Sequence, residues 1–185
     1  MSQKRASAEE GRNETKFPID EGDEVEMSEK EIESVLRDFR EAFVKRDVEK
    51  MLSFFAEDSV LVTPAGTFKG KDEVKRYWTW ETGVSPTETV RASGIGTMVK
   101  ENRAVSEGVS EGDVEGKKYE APGLTVYEFS GDKIQHMRMY YDKLSIVKQV
   151  TMQYTGITGW FAKRLVNYIV GQAEKGLADA SQKGL

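Results

Sequence analysis

The chain has 185 residues, 38% of them hydrophobic and 32% charged, with a formal net charge of −5 and no cysteine. Such a chain can bury one sizeable core and still carry tails. Its acidic balance argues against a general nucleic-acid binder, and the missing cysteines exclude disulfides, thiolate catalysis and Cys-ligated zinc. No apolar run approaches a membrane span and the N-terminus lacks a signal-peptide core, so a soluble cytoplasmic protein is the default expectation.

Residues 1–27 are rich in Ser, Glu, Asp, Lys and Gly and read as a disordered acidic tail. Order is expected from Ser28, because Ser28-Glu-Lys-Glu31 is a capping box in which side chain and backbone can bond reciprocally. Ile32, Val35, Leu36, Phe39, Ala42 and Phe43 follow at helical spacing. Asp47 can cap a short second helix, with Met51, Leu52, Phe54 and Phe55 as its buried side. Ser59–Thr63 predicts a strand, Pro64-Ala-Gly66 a turn, and Thr67-Phe68 a brief return strand. Asp72 then caps a third helix through Val74, Tyr77 and Trp78, which ends between Gly83 and Pro86.

From Thr87 to Asp142 the residues alternate, with turn chemistry at Glu101-Asn-Arg103, Glu115-Gly116 and Ser130-Gly-Asp132. That pattern predicts four long antiparallel strands in a meander. Asp142–Gln153 reads as a helix. Gly156–Gly159 interrupts it before a terminal amphipathic helix marked by Ile157, Trp160, Phe161, Leu165, Ile169 and Ala173. The domain is thus expected over 28–153, the terminal helix over 154–177 and a frayed end over 178–185. Helices first and a sheet afterwards make the fold class α+β.

Several stretches in this order resemble the SnoaL-like and ketosteroid-isomerase-like families of the nuclear-transport-factor-like superfamily. They are Phe39-Arg-Glu-Ala-Phe-Val-Lys-Arg-Asp47, Met51-Leu-Ser-Phe-Phe-Ala-Glu-Asp-Ser-Val60, Thr63-Pro-Ala-Gly-Thr-Phe-Lys-Gly70 and Gly131–Asp142. The resemblance covers roughly Ile32 to Val150. It implies a cone: a strongly bent antiparallel sheet wrapped around N-terminal helices, here with an extra C-terminal helix. Gly94, Gly96, Gly108, Gly112 and Gly123 interrupt the long strands, either to bend the sheet or only to relieve packing.

The catalytic residues of two branches are replaced. Ketosteroid isomerases pair an Asp base with an oxyanion hole of Tyr and protonated Asp. The resemblance places these roles at Thr63, Phe39 and Thr125, none of which can fill them. The epoxide-hydrolase branch has an Arg and an Asp two apart on a middle strand, and a further Asp near the last strand's end. Gly108, Ser110 and Met139 stand there instead. A polyketide-cyclase-like lyase or isomerase needs only one placed acid/base group. The weak candidates are Tyr141, Asp142 and His136, the only histidine. His136 alternates onto the face opposite Met137 and Met139, and Asp142 is better placed to cap the following helix. Glu107 and Glu120 fall on outer faces, so no convincing base can be named.

What remains is an expected pocket with little charge. Met137, Met139 and Tyr141 share one face, and the neighbouring strand adds Ala121, Gly123, Thr125 and Tyr127. The helices contribute Phe39, Phe43, Phe55, Tyr77 and Trp78, with Thr63 and Thr125 as hydrogen-bond handles. These are ligand-binding candidates for a small apolar molecule, although the same residues could fill the cone. No cofactor or metal site is implied. The acids Glu107, Glu111, Asp113 and Glu115 read as a solvated hairpin that blocks strand pairing rather than a cation site. The terminal helix is expected against the outer sheet face, in the same subunit or in a homodimer, rather than on a membrane.

Overall fold

A computed structural model of the protein describes residues 27–157 and 159–168. The expected acidic tail before Met27 lies outside the described residues, as do Ile169, Ala173 and the frayed end. Helix α1 (Glu29–Val44) begins on the capping box: Ser28 N donates to the Glu31 carboxylate at 2.8 Å, and Glu31 N donates back to the Ser28 hydroxyl. Its buried stripe is Ile32, Leu36, Phe39, Ala42 and Phe43. Met27, assigned to the tail from the sequence, packs against this core. Asp47 caps helix α2 (Val48–Leu52) by accepting from Lys50 N at 2.9 Å.

Phe55 is not on α2. It opens strand β1 (Phe55–Thr63), because Phe55 pairs with Ile134, and Ile134 N donates to Phe54 O at 2.8 Å. Sheet pairing therefore overrides the helical spacing of Phe54 and Phe55. After a turn at Pro64 and Ala65 comes β2 (Gly66–Lys69). Helix α3 (Lys71–Val84) starts before Asp72, with Gly70 at the cap position and a φ of +76°. A left-handed backbone there suits glycine. The carboxylate that serves this end belongs to Glu73, which accepts from Lys69 N at 2.8 Å.

The meander follows as β3 (Thr89–Lys100), β4 (Arg103–Val114), β5 (Lys117–Ser130) and β6 (Lys133–Tyr141). Helix α4 (Lys143–Met152) starts on Asp142, whose side chain accepts from Ser145 N at 3.0 Å. The six strands form one curved, unclosed sheet in the order β2-β1-β6-β5-β4-β3. Its pairs are antiparallel except that β1 runs parallel to β6, which strand alternation alone did not reveal.

Helices α1 and α3 fill part of the sheet's hollow side. The Phe39 ring lies 5.8 Å from both Phe55 and Trp78 at steep angles. Edge-to-face contacts are the favoured arrangement, and each buried aromatic contributes about 2–3 kcal/mol. The bend is concentrated in β3, where Ser93 to Gly96 together face the single residue Glu107 of β4. A side chain at Gly94, with φ +54°, would lie 2.1 Å from the Glu107 carboxylate. That glycine therefore serves both the bend and a close approach.

Beyond the end of β6 the edge of β5 would be open. Helix α4 closes it with two glutamines one turn apart. Glu120 N donates to Gln149 Oε1 at 2.9 Å, and Gln149 Nε2 donates to Glu120 O at 2.7 Å. Gln153 repeats the pattern on Lys118, at 3.1 and 2.6 Å. The side-chain amides thus take the place of a neighbouring strand.

The terminal helical residues 159–168 bury Gly159 and Val166 but leave Trp160, Phe161, Leu165 and Tyr168 exposed. The expected cover of the outer sheet by this helix within one subunit is not seen at those side chains. Among the described residues no helix is long and apolar enough to cross a membrane.

Candidate functional site

Between α1, α3 and the concave sheet lies a cavity. The space open to the centre of a water-sized sphere is about 100 Å³, well beyond what one water requires. It remains hollow because the inner positions of β4 and β5 are small: Ser106, Gly108 and Ser110 pair with Thr125, Gly123 and Ala121. Met137, Met139 and Tyr141 stand opposite Tyr127, Thr125 and Gly123 across β5 and β6.

Of the residues singled out in the sequence, Phe39, Phe43, Trp78, Thr125 and Tyr127 line the cavity, as do Met137, Met139 and Tyr141. Phe55 does not; it is 1% exposed, packed behind Phe39. Thr63 is buried at the end of β1, where its hydroxyl accepts from Ala65 N at 3.0 Å. Tyr77 lies behind the wall, its ring tilted against that of Phe68 at 4.9 Å. Its buried hydroxyl makes no hydrogen bond of normal geometry, although Glu81 and Tyr141 face it, and burial pushes its pKa well above the usual tyrosine value.

Of the weak catalytic candidates, only Tyr141 borders the cavity. Burial, with the nearby Glu81, pushes its hydroxyl up to about 12. His136 pairs with Glu128 and Val60 and takes no part in the lining. Asp142 is exposed and spent on the α4 cap.

The expectation of a pocket with little charge is wrong. Glu81, Glu88, Glu107 and Arg40 all line it. Glu81 sits on α3 one turn beyond Tyr77 and Trp78, so it shares their inward stripe. Burial raises its carboxyl to about 7, and the charge of Glu88 adds to the effect. Lys143, the Tyr77 hydroxyl and Arg46 act in the opposite sense, less strongly. Glu88 lies just before β3 and is 8% exposed. Burial raises its carboxyl as well, against hydrogen bonds from Ser110 and Tyr119 and the charge of Arg46. Tyr119 in turn shares a hydrogen bond of 2.9 Å with the Ser85 hydroxyl.

Glu107 was expected on the outer face. It lies in the cross-strand row Glu107, Leu124, Tyr140, residues that border the cavity, and its carboxylate accepts from Ile95 N at 3.0 Å at the β3 bulge. The other acids of that hairpin also have specific partners: Glu111 with Arg91 at 2.8 Å, Asp113 with Thr87 and Gly116 N, and Glu115 with the Tyr154 hydroxyl at 2.6 Å. Among the described residues no group of three or more His, Asp or Glu could hold a metal ion.

The loop carrying Glu88 is held by Arg46, which follows α1 with a φ of +59°. Its guanidinium donates to Phe43 O at 3.1 Å, to Pro86 O at 3.0 Å and to Glu88 O. One side chain thus ties the end of α1 to the entrance of β3. Sequence spacing contained a signal for Glu81, since 74, 77, 78 and 81 form one helical stripe. Nothing local marked Glu88, whose burial comes from β4, β5 and Arg46.

A bent sheet around α1 with a cavity at its hollow side defines the nuclear-transport-factor-like cone. The chain belongs to the SnoaL-like domain family, whose model matches residues 36–137, more than half of its length. No curated protein matches it by sequence. Solved structures share the fold. A candidate polyketide cyclase from Xanthomonas campestris pv. campestris is 22% identical, with a TM-score of 0.59 over 65% of this chain and 97% of its own. A ketosteroid isomerase-like protein from Catenulispora acidiphila, in complex with trimethylamine, is 17% identical with a TM-score of 0.58, over 66% and 97%. TerC, co-crystallised with polyporic acid, is 19% identical with a TM-score of 0.57, over 65% and 97%.

Proposed function

We propose that the protein binds a compact, mostly apolar small molecule in the cone, with the polar end of that molecule set against Glu81 and Glu88. The observation that carries this reading is a cavity walled by Phe39, Phe43, Trp78, Met137 and Met139 with Glu81 and Glu88 in its lining. Apolar walls supply affinity and a few convergent polar groups supply orientation. The presence of trimethylamine and polyporic acid in two proteins of the same fold fits small-molecule binding. Native mass spectrometry of the purified protein tests it: a retained small molecule supports the reading. No retained molecule, together with no thermal stabilisation by a panel of small aromatic compounds, defeats it.

A second reading is favoured by one feature. Glu81, raised to about 7 and partly shielded from water, is matched to proton transfer near neutral pH. In a lyase or isomerase of the cyclase type it would take or give the proton, with Tyr141 as a donor beside it. Solvent deuterium exchange into enolisable ketones, lost in Glu81→Gln, would support that activity; exchange unchanged by the substitution would remove Glu81 from it.

A homodimer built on the outer sheet face belongs to the same proposal, since Met98 and Tyr140, which alternate away from the Met137 and Met139 face, are more than half exposed. Sedimentation velocity distinguishes it from a monomer.

A further inference from the structure

We infer that the cavity selects an amine: a small aromatic or alicyclic molecule bound as its ammonium ion, with the charged head between Glu81 and Glu88 and the ring toward Met137 and Met139. This rests on the reading of the cavity as a ligand site and names the chemistry it takes.

Three observations converge. First, both carboxylates line the cavity, yet neither belongs to an ion pair among the described residues. A buried carboxylate without a counter-ion is costly unless it is protonated or receives a cation. Second, the cations that act on the two carboxylates, Arg46 and Lys143, lie outside the lining of the cavity. Arg46 spends its donors on the carbonyls of Phe43, Pro86 and Glu88, and Lys143 is exposed at the start of α4. Third, the walls beside the acids are aromatic, with Phe43 and Trp78 in contact at 5.9 Å and Tyr141 across from them in the lining. Aromatic faces attract ammonium groups where water is excluded.

The opposite end of the cavity sets the direction. Arg40 also lines it and acts on Tyr127, whereas Glu81 and Glu88 act on Tyr141. Tyr127 and the partner position of Tyr141, Gly123, are four residues apart on β5, or about 13 Å at the usual strand rise. A cation is therefore drawn to the carboxylates and repelled from Arg40. Glu107 does not alter this polarity, since its carboxylate is held by Ile95 N.

The groups facing the carboxylates fix the pH behaviour. They are Lys143, Arg46, Tyr77, Tyr119, Tyr141 and Ser110. Among these surroundings Glu81 is raised to about 7 and Glu88 above the usual carboxylate value, while an alkylammonium keeps its proton to about pH 10. Ammonium binding then strengthens with rising pH and drives protons off the carboxylates.

The experiment compares phenethylamine, phenethyl alcohol and phenylacetate by isothermal titration on the full chain at pH 6 and pH 8, with Glu81→Gln and Glu88→Gln as variants. At pH 8 the amine should bind at least about tenfold more tightly than the alcohol, as a charge-assisted contact in a shielded site allows. The preference should shrink at pH 6 and in either variant. The variants' folding is checked by circular dichroism, and alcohol binding by the variants shows that the cavity persists. Equal binding of amine and alcohol, or tightest binding of phenylacetate, overturns the amine inference while leaving a ligand cavity. Binding of none of the three overturns both.

Discussion

Glu81 at the end of α3 and Glu88 before β3 turn their carboxyl groups into one cavity, and the charge of Glu88 adds to the burial that keeps Glu81 protonated up to about pH 7. Two acids so placed work against the folded state when both are ionised. They persist beside a wall otherwise made of Phe, Trp and Met. Buried acids of this kind cost stability at neutral pH and are common at functional sites.

The first prediction concerns stability and pH. Glu81 titrates near 4.5 when unfolded and near 7 when folded. The folded state therefore binds more protons between those values, and stability falls as pH rises through that window. Glu81→Gln removes the effect. It should raise stability at pH 8 by on the order of 2 kcal/mol and change little at pH 5, as read from urea midpoints at the two values. An equal change at both pH values would contradict this account.

Arg46 supplies the second. Its three donations to backbone carbonyls have no substitute in Arg46→Ala, which should cost about 2–3 kcal/mol. Arg46→Lys should recover little, because a single ammonium cannot span three acceptors set around a planar fork. Hydrogen exchange should accelerate at the amide of Glu88, whose N donates to Ser85 O at 3.2 Å.

The third concerns the glutamine edge. The double variant Gln149→Ala, Gln153→Ala leaves the backbone of Lys118 and Glu120 unpaired on that side. We expect faster amide exchange at both positions, a loss of about 1–3 kcal/mol, and increased self-association through the freed edge. Light scattering against concentration checks the last point.

The fourth tests the cavity as a volume. Met139→Trp projects a larger ring into the space opposite Thr125 and Gly123. Overpacking should lower stability by about 1–3 kcal/mol while the far-ultraviolet circular dichroism spectrum is kept. Uptake of any small aromatic compound should be lost. Undiminished uptake would place the binding site elsewhere.

The elements of this fold were legible because their signals are local. Ser28 and Glu31 lie three residues apart, Asp142 precedes the helix it caps, and strict alternation through 124–141 sets Met137, Met139 and Tyr141 on one face. Errors arose where a distant partner decided the outcome. Phe55 fits a helical stripe but joins β6 through Ile134. Thr63 and Tyr77 sit at plausible positions but lie outside the lining of the hollow.

By itself the sequence determined the order of helices and strands and the inner face of the sheet. These depend on periodicity, caps and residue identity. Only the tertiary structure decided that the cone is hollow and that its wall carries acids. The environment of Glu88 is assembled from Arg46, Ser110 and Tyr119, which lie far apart in the chain, and burial is a property of that assembly. A carboxylate's charge can be read from its letter, but its proton affinity depends on what the fold places around it.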